Sequence, residues 1–109
     1  MKIAVAAASN NIEGPLSPQF GRANGFFIGE EESAMTYVEN PHKVGMRGVG
    51  ISVAQFMAEK GVKAVIANLV GPRAMDALTS LGITAYLAEK GSIRENIRLF
   101  KEGKLRKIS

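Results

Sequence analysis

Three short, nearly unbroken apolar runs constrain this chain more than any other feature: Lys2–Ala8 (KIAVAAA), Lys63–Ala67 (KAVIA) and Ile83–Leu87 (ITAYL). A strand with one wet face alternates apolar and polar residues, whereas a strand covered on both faces reads as a continuous run. Helical spacing follows or separates these runs. Val49, Val53, Phe56 and Met57 recur at helical intervals, and Gly61 falls where a C-terminal cap belongs. Pro72 suits the first turn of a helix carrying Met75, Leu78 and Leu81, which Gly82 ends. Ser92 and Glu95 have capping-box spacing ahead of Ile93, Ile97 and Phe100, with Gly103 as the stop. Strand alternating with helix implies parallel strands joined by right-handed crossovers.

The first part of the chain has a different rhythm. Ser9–Ala23 is loop-like, punctuated by Asn10, Asn11, Gly14, Pro15, Pro18 and Gly21. Gly25–Gly29 and Met35–Glu39 read as strands joined by the acidic segment Glu30–Ser33, which predicts a β-hairpin and so an antiparallel portion. A second loop covers Asn40–Gly48. The expected order is β-ββ-αβαβα: an α/β protein with a five-stranded mixed sheet and helices packed on it, a single domain over residues 1–109. No internal repeat or low-complexity segment interrupts it.

Composition then narrows the chemistry. The chain holds no cysteine, so disulfides, thiolate nucleophiles and cysteine-ligated clusters are excluded together. With His42 the single histidine, a multi-histidine zinc site cannot be assembled, and a serine triad would need His42 near both a serine and an oriented carboxylate, for which no nucleophile-elbow motif is present. The single aspartate, Asp76, falls within a helix and the first strand carries no acid, so a strand-borne carboxylate cluster is missing. Gly48-Val49-Gly50 lacks the third glycine of a dinucleotide fingerprint and no P-loop lysine follows it. A non-enzymatic role is the expectation. No apolar run approaches the ~18–20 residues that cross a bilayer, and the opening stretch is too short for a signal peptide, which reads as a cytoplasmic protein without membrane contact. The net charge of +4 is uneven: Lys90, Arg94, Arg98, Lys101, Lys104, Arg106 and Lys107 crowd the C-terminal segment, while Glu30, Glu31 and Glu32 cluster earlier. The basic segment reads first as a solvated helix face, with weak nucleic-acid binding as an alternative role.

In an open α/β sheet, ligands collect outside the carboxyl ends of the parallel strands. Three loops build that edge: Ser9–Asn11, Asn68–Arg73 and Glu89–Ser92. Helix N-termini there offer unpaired amides and the positive end of a dipole. Ser9, Asn10, Asn68, Gly48, Gly50 and Gly71 are candidate contacts, the glycines because a ligand can approach their backbone closely, and Arg47 and Arg73 can add charge. The convergence points to a small anionic ligand. A ligand-free protein-interaction module is the competing reading.

Four segments carry a family resemblance: Ser17-Pro18-Gln19-Phe20-Gly21-Arg22-Ala23, Glu39-Asn40-Pro41-His42, Gly48-Val49-Gly50-Ile51 and Asn68-Leu69-Val70-Gly71-Pro72-Arg73-Ala74. In that order they resemble the dinitrogenase iron–molybdenum cofactor biosynthesis family, which includes nitrogenase accessory proteins and small stand-alone members. The resemblance implies a ribonuclease-H-like motif, and binding of an anionic metal–sulfur cluster (iron–molybdenum cofactor-like or molybdenum–sulfur) with delivery to a protein partner. It adds Gln19, Phe20, Gly21 and Arg22 to the candidate site. Cofactor-carrying members tend to have histidine just before the motif phenylalanine. Gln19 stands there in this chain, and a neutral amide is a poor ligand for iron or molybdenum. The resemblance therefore implies non-covalent holding by backbone amides with Arg22, Arg47 and Arg73, leaving His42 as the metal-ligand candidate. Phe20 could equally anchor its loop to the core, and Gly21 could supply a positive φ angle.

Overall fold

The computed structural model describes residues 1–45 and 49–108. Its strands are β1 (Ile3–Ala7), β2 (Gly25–Gly29), β3 (Thr36–Glu39), β4 (Ala64–Ala67), β5 (Thr84–Leu87) and β6 (Arg106–Lys107), and its helices α1 (Val49–Glu59), α2 (Pro72–Ser80) and α3 (Ile93–Lys101). A short 3-10 turn, Glu32–Ala34, lies between β2 and β3.

The sheet order is β3-β2-β1-β4-β5-β6. β1, β4 and β5 are parallel neighbours, and β2, β3 and β6 join by antiparallel pairing. The sheet thus has six strands, one more than the sequence patterning predicts. The extra strand is only Arg106–Lys107, paired with Leu87 and Tyr86, and both its residues are exposed. Two charged residues at a sheet edge carry no apolar signature, although such charge suits an edge by discouraging further pairing.

β1 is buried at every position, as its unbroken apolar run requires. Its alternate residues feed two cores. Ile3, Val5 and Ala7 pack with Ile93 and Ile97 of α3. Ala4 and Ala6 face Val53 and Met57 of α1 and Leu78 of α2. So α1 and α2 cover one face and α3 the other. The steps from β1 to β4 and from β4 to β5 run in the same direction across the sheet. Crossovers of one hand therefore place both connecting helices on one face. Gly61, Gly82 and Gly103 follow the three helices with φ of 78°, 75° and 72°, the left-handed stop that glycine permits.

Candidate functional site

The carboxyl edge of the sheet is not uniform. At α3 the helix start is closed. The Ser92 hydroxyl accepts from the Glu95 amide at 3.0 Å, the Glu95 carboxylate accepts from the Ser92 amide at 2.8 Å, and the Ile93 and Arg94 amides donate to Gly14 and Ile12 carbonyls. The Glu89–Ser92 loop therefore offers no free donors at that helix start. At α2 the situation is reversed. Gly71 is the N-cap and contributes no side-chain bond, Pro72 has no amide proton to give, and the Arg73 and Ala74 amides have no acceptor among the described residues.

This open start faces a cavity of about 500 Å³. One wall is Gln19, Phe20, Gly21 and Arg22; another is Val49, Gly50 and Ile51 at the start of α1; the third is Leu69, Gly71, Pro72, Arg73 and Ala74. Among the described residues, Arg22 and Arg73 are the lining residues that carry charge, and no carboxylate joins them. Leu69 and Ile51 are exposed at the mouth. Paired positive charge, free amides and apolar walls suit a large anion of low charge density.

The wall carrying Arg22 is held in place from several sides. Phe20 is buried, meets Phe26 edge-on at 5.6 Å, and its amide donates to the Leu69 carbonyl at 2.8 Å. Phe20 is thus both an anchor and part of the cavity floor. The Ser17 amide donates to Ala6, its hydroxyl folds back on Gln19, and Asn68 donates through Nδ2 to the Ser17 carbonyl at 3.0 Å. Asn40, 3% exposed, donates to the Gly21 and Ala23 carbonyls at 3.1 and 2.9 Å and accepts from the His42 amide at 2.9 Å. Arg22 reaches back through Nη1 to the carbonyls of Lys43 and Gly45 at 3.0 and 2.5 Å, tying the second loop to the first.

Of the residues singled out from the sequence, Gln19, Phe20, Gly21, Arg22, Gly50, Gly71 and Arg73 converge on this cavity. Asn68 stands behind it as a brace. Asn10 lies instead in a separate depression beside Glu32 and Arg94, and the exposed Ser9 does not line the cavity. Arg47 and Gly48 lie outside the described residues. His42 is half-buried against the Phe56 ring, 6.2 Å between centroids, on the flank of α1 and away from the cavity lining. No group of three or more His, Asp or Glu side chains among the described residues could hold a metal ion. Gly21 has no positive φ; it is needed because a Cβ there would sit 3.1 Å from the Gly50 Cα. Gly50 in turn is pressed against α2, where a Cβ would lie 2.7 Å from that of Ala74.

Sequence reasoning passed over two residues that build the site, Ser17 and Asn40. Both sit in the resemblance motifs, but neither carries charge, and their roles are hydrogen bonds to distant backbone. It also passed over the apolar wall of Val49, Ile51 and Leu69. The basic C-terminal segment is largely engaged within the protein: Arg94 pairs with Glu13 and Glu32, Arg98 with Glu32, Lys104 with Glu102, and Lys101 donates to the Glu30 carbonyl. No helix is long and apolar enough to cross a membrane among the described residues.

Residues 1–103 match the model of the family described as dinitrogenase iron-molybdenum cofactor. The chain belongs to this family. Solved structures agree. The apo form of the orange protein from Desulfovibrio gigas superimposes with a TM-score of 0.92 at 32% identity, covering 99% of this chain and 92% of that one. A NifB-like protein from Thermotoga, of the DUF35 family, gives 0.83 at 32% identity over 97% and 91%. In sequence, the uncharacterized protein MJ0580 of Methanocaldococcus jannaschii is 42% identical over 99% of this chain and 92% of its own length. Membership of the dinitrogenase iron-molybdenum cofactor family and these likenesses point to a small cofactor-related protein.

Proposed function

We propose that this chain is a non-enzymatic binding and carrier protein for an anionic metal–sulfur cluster, iron–molybdenum cofactor-like or molybdenum–sulfur, which it passes to a protein partner in cytoplasmic cofactor assembly. The observation that carries the reading is the cavity between α1 and α2, where Arg22, Arg73 and the uncapped start of α2 meet without an opposing carboxylate. A sulfur-rich cluster spreads its charge over a soft surface. The apolar walls can pack on sulfide while amides and guanidinium groups meet the charge. Holding cargo without a metal–protein bond also suits release, since only hydrogen bonds and ion pairs need to break. Exposed Ile51 and Leu69 at the mouth provide the apolar contact through which a partner would approach. That a relative has been solved as an apo form fits a protein that also exists loaded. In the same reading, the order β3-β2-β1-β4-β5 with β2 reversed supports the ribonuclease-H-like motif that the family resemblance implies.

The test is an anaerobic titration of the purified protein with tetrathiomolybdate, alone and with copper(I) or iron(II), followed by visible absorption. The wild type gives a saturable chromophore. Arg73→Ala and Arg22→Ala each weaken it roughly tenfold or more, the loss expected for one charged hydrogen bond. His42→Ala leaves it unchanged, because His42 does not line the cavity. Absence of saturable binding under all three conditions would sink the carrier reading and leave an interaction module in its place.

A further inference from the structure

Within a protein, glycine is most often required where the backbone is left-handed or where a neighbour crowds the space a side chain would fill. Among the described residues, Gly71 alone has neither feature. Gly61, Gly82, Gly91 and Gly103 have positive φ. At Gly14, Gly21, Gly25, Gly29, Gly45 and Gly50, an added Cβ would meet a protein atom at 3.1 Å or less. Gly71 has neither. Its φ and ψ of −64° and 161° are open to any residue, including one that precedes proline, and apart from its chain neighbours no described residue lies within 4 Å of the position its Cβ would take. As the N-cap of α2, a position that tolerates glycine well, it forgoes the side-chain oxygen that serine or aspartate would contribute there. Gly71 also lines the cavity.

We infer that Gly71 is a specificity-determining residue of the cavity: the room left by its missing side chain is occupied by the ligand, which packs directly on the backbone at the start of α2. The inference rests on the carrier reading and deepens it, since it selects ligands bulky enough to bridge from the arginines to the Gly71 Cα. A side chain at this position intrudes on the ligand and meets no neighbour among the described residues. Size beyond the first methyl group at residue 71 therefore controls binding more than folding.

The experiment compares the wild type with Gly71→Ala and Gly71→Leu by thermal unfolding without ligand and by anaerobic titration with tetrathiomolybdate plus copper(I). The expected result is a similar, modest loss of Tm for both variants, a few degrees, the usual cost of an apolar residue at an N-cap. Affinity falls stepwise, several-fold for alanine and more than thirtyfold (roughly 2 kcal/mol) for leucine. If Gly71→Leu binds within twofold of a binding wild type, the inference is overturned while the carrier reading stands. A loss of Tm in Gly71→Ala well beyond that of an ordinary apolar N-cap also overturns it, because glycine is then a requirement of the fold. If the wild type itself does not bind, the carrier reading fails and takes this inference with it.

Discussion

Asn40 shows how a single uncharged side chain can set the geometry of a charged site. Its amide satisfies two carbonyls of the Gly21–Ala23 segment, and its carbonyl oxygen receives the His42 amide. Both loops that flank the cavity thus depend on one buried residue. Asn40→Ala leaves these backbone groups without partners, which costs about 2–4 kcal/mol, summed over groups worth roughly 1–3 kcal/mol each when buried and unmatched. Urea unfolding reads that loss directly. The same substitution should weaken ligand binding, because Arg22 lies between the two carbonyls that Asn40 holds. Arg22 itself works in both directions, facing the cavity and fastening Lys43 and Gly45. Its chemistry was legible from the residue type and the motif. Its second task was not, since nothing in the sequence says which carbonyl a guanidinium will find 21 residues away.

At the scale of elements, the site exists because α1 and α2 approach closely at their N-terminal ends. Gly50 against Ala74 sets that approach, and Gly21 brings the first loop against Gly50. Gly50→Ala places a Cβ 2.7 Å from that of Ala74 and forces the helices apart, at a cost of about 1–3 kcal/mol for overpacking. Combining it with Ala74→Gly removes the collision. The double variant should recover most of the lost stability, so a thermodynamic cycle would show strong coupling between the two positions. Independent, additive effects would show instead that the contact does not limit the approach. The contrast between helix starts belongs to this scale too. The Ser92–Glu95 capping box was visible as spacing, and it closes α3. The open start of α2 follows from Gly71 and Pro72, which supply no capping group and no proton.

Across the whole molecule, three distant segments are tied by two carboxylates and two arginines. Glu32, between β2 and β3, receives Arg94 at 3.1 Å and Arg98 at 3.0 Å from α3, and Arg94 also holds Glu13 of the first long loop at 2.6 Å. Hydrogen bonds from Arg98 and then Arg94 hold the Glu32 carboxyl below its ordinary value. A depressed carboxyl contributes stability that is present above its unfolded value and is lost as pH falls through the folded one. Glu32→Gln should therefore lower Tm at neutral pH, and the difference from wild type should vanish in acid and shrink with salt. A pH-independent difference would mean that the pairs contribute no linkage.

The sequence by itself determined the order of elements, because strands buried on both faces and helices stopped by glycine leave their marks in local periodicity. It also supplied the residue types of the site, Arg22, Arg73 and Gly71 among them, through short motifs. The tertiary structure decided the rest. Only packing could show that Gly50 is a spacer between helices and that His42 turns toward Phe56. The two-residue β6 pairs by backbone hydrogen bonds that leave no apolar pattern to read. Which helix start remains open to a ligand was likewise settled by distant carbonyls, those of Ile12 and Gly14 at α3 and none among the described residues at α2. Periodicity is a property of neighbours in the chain, whereas a site is a property of neighbours in space.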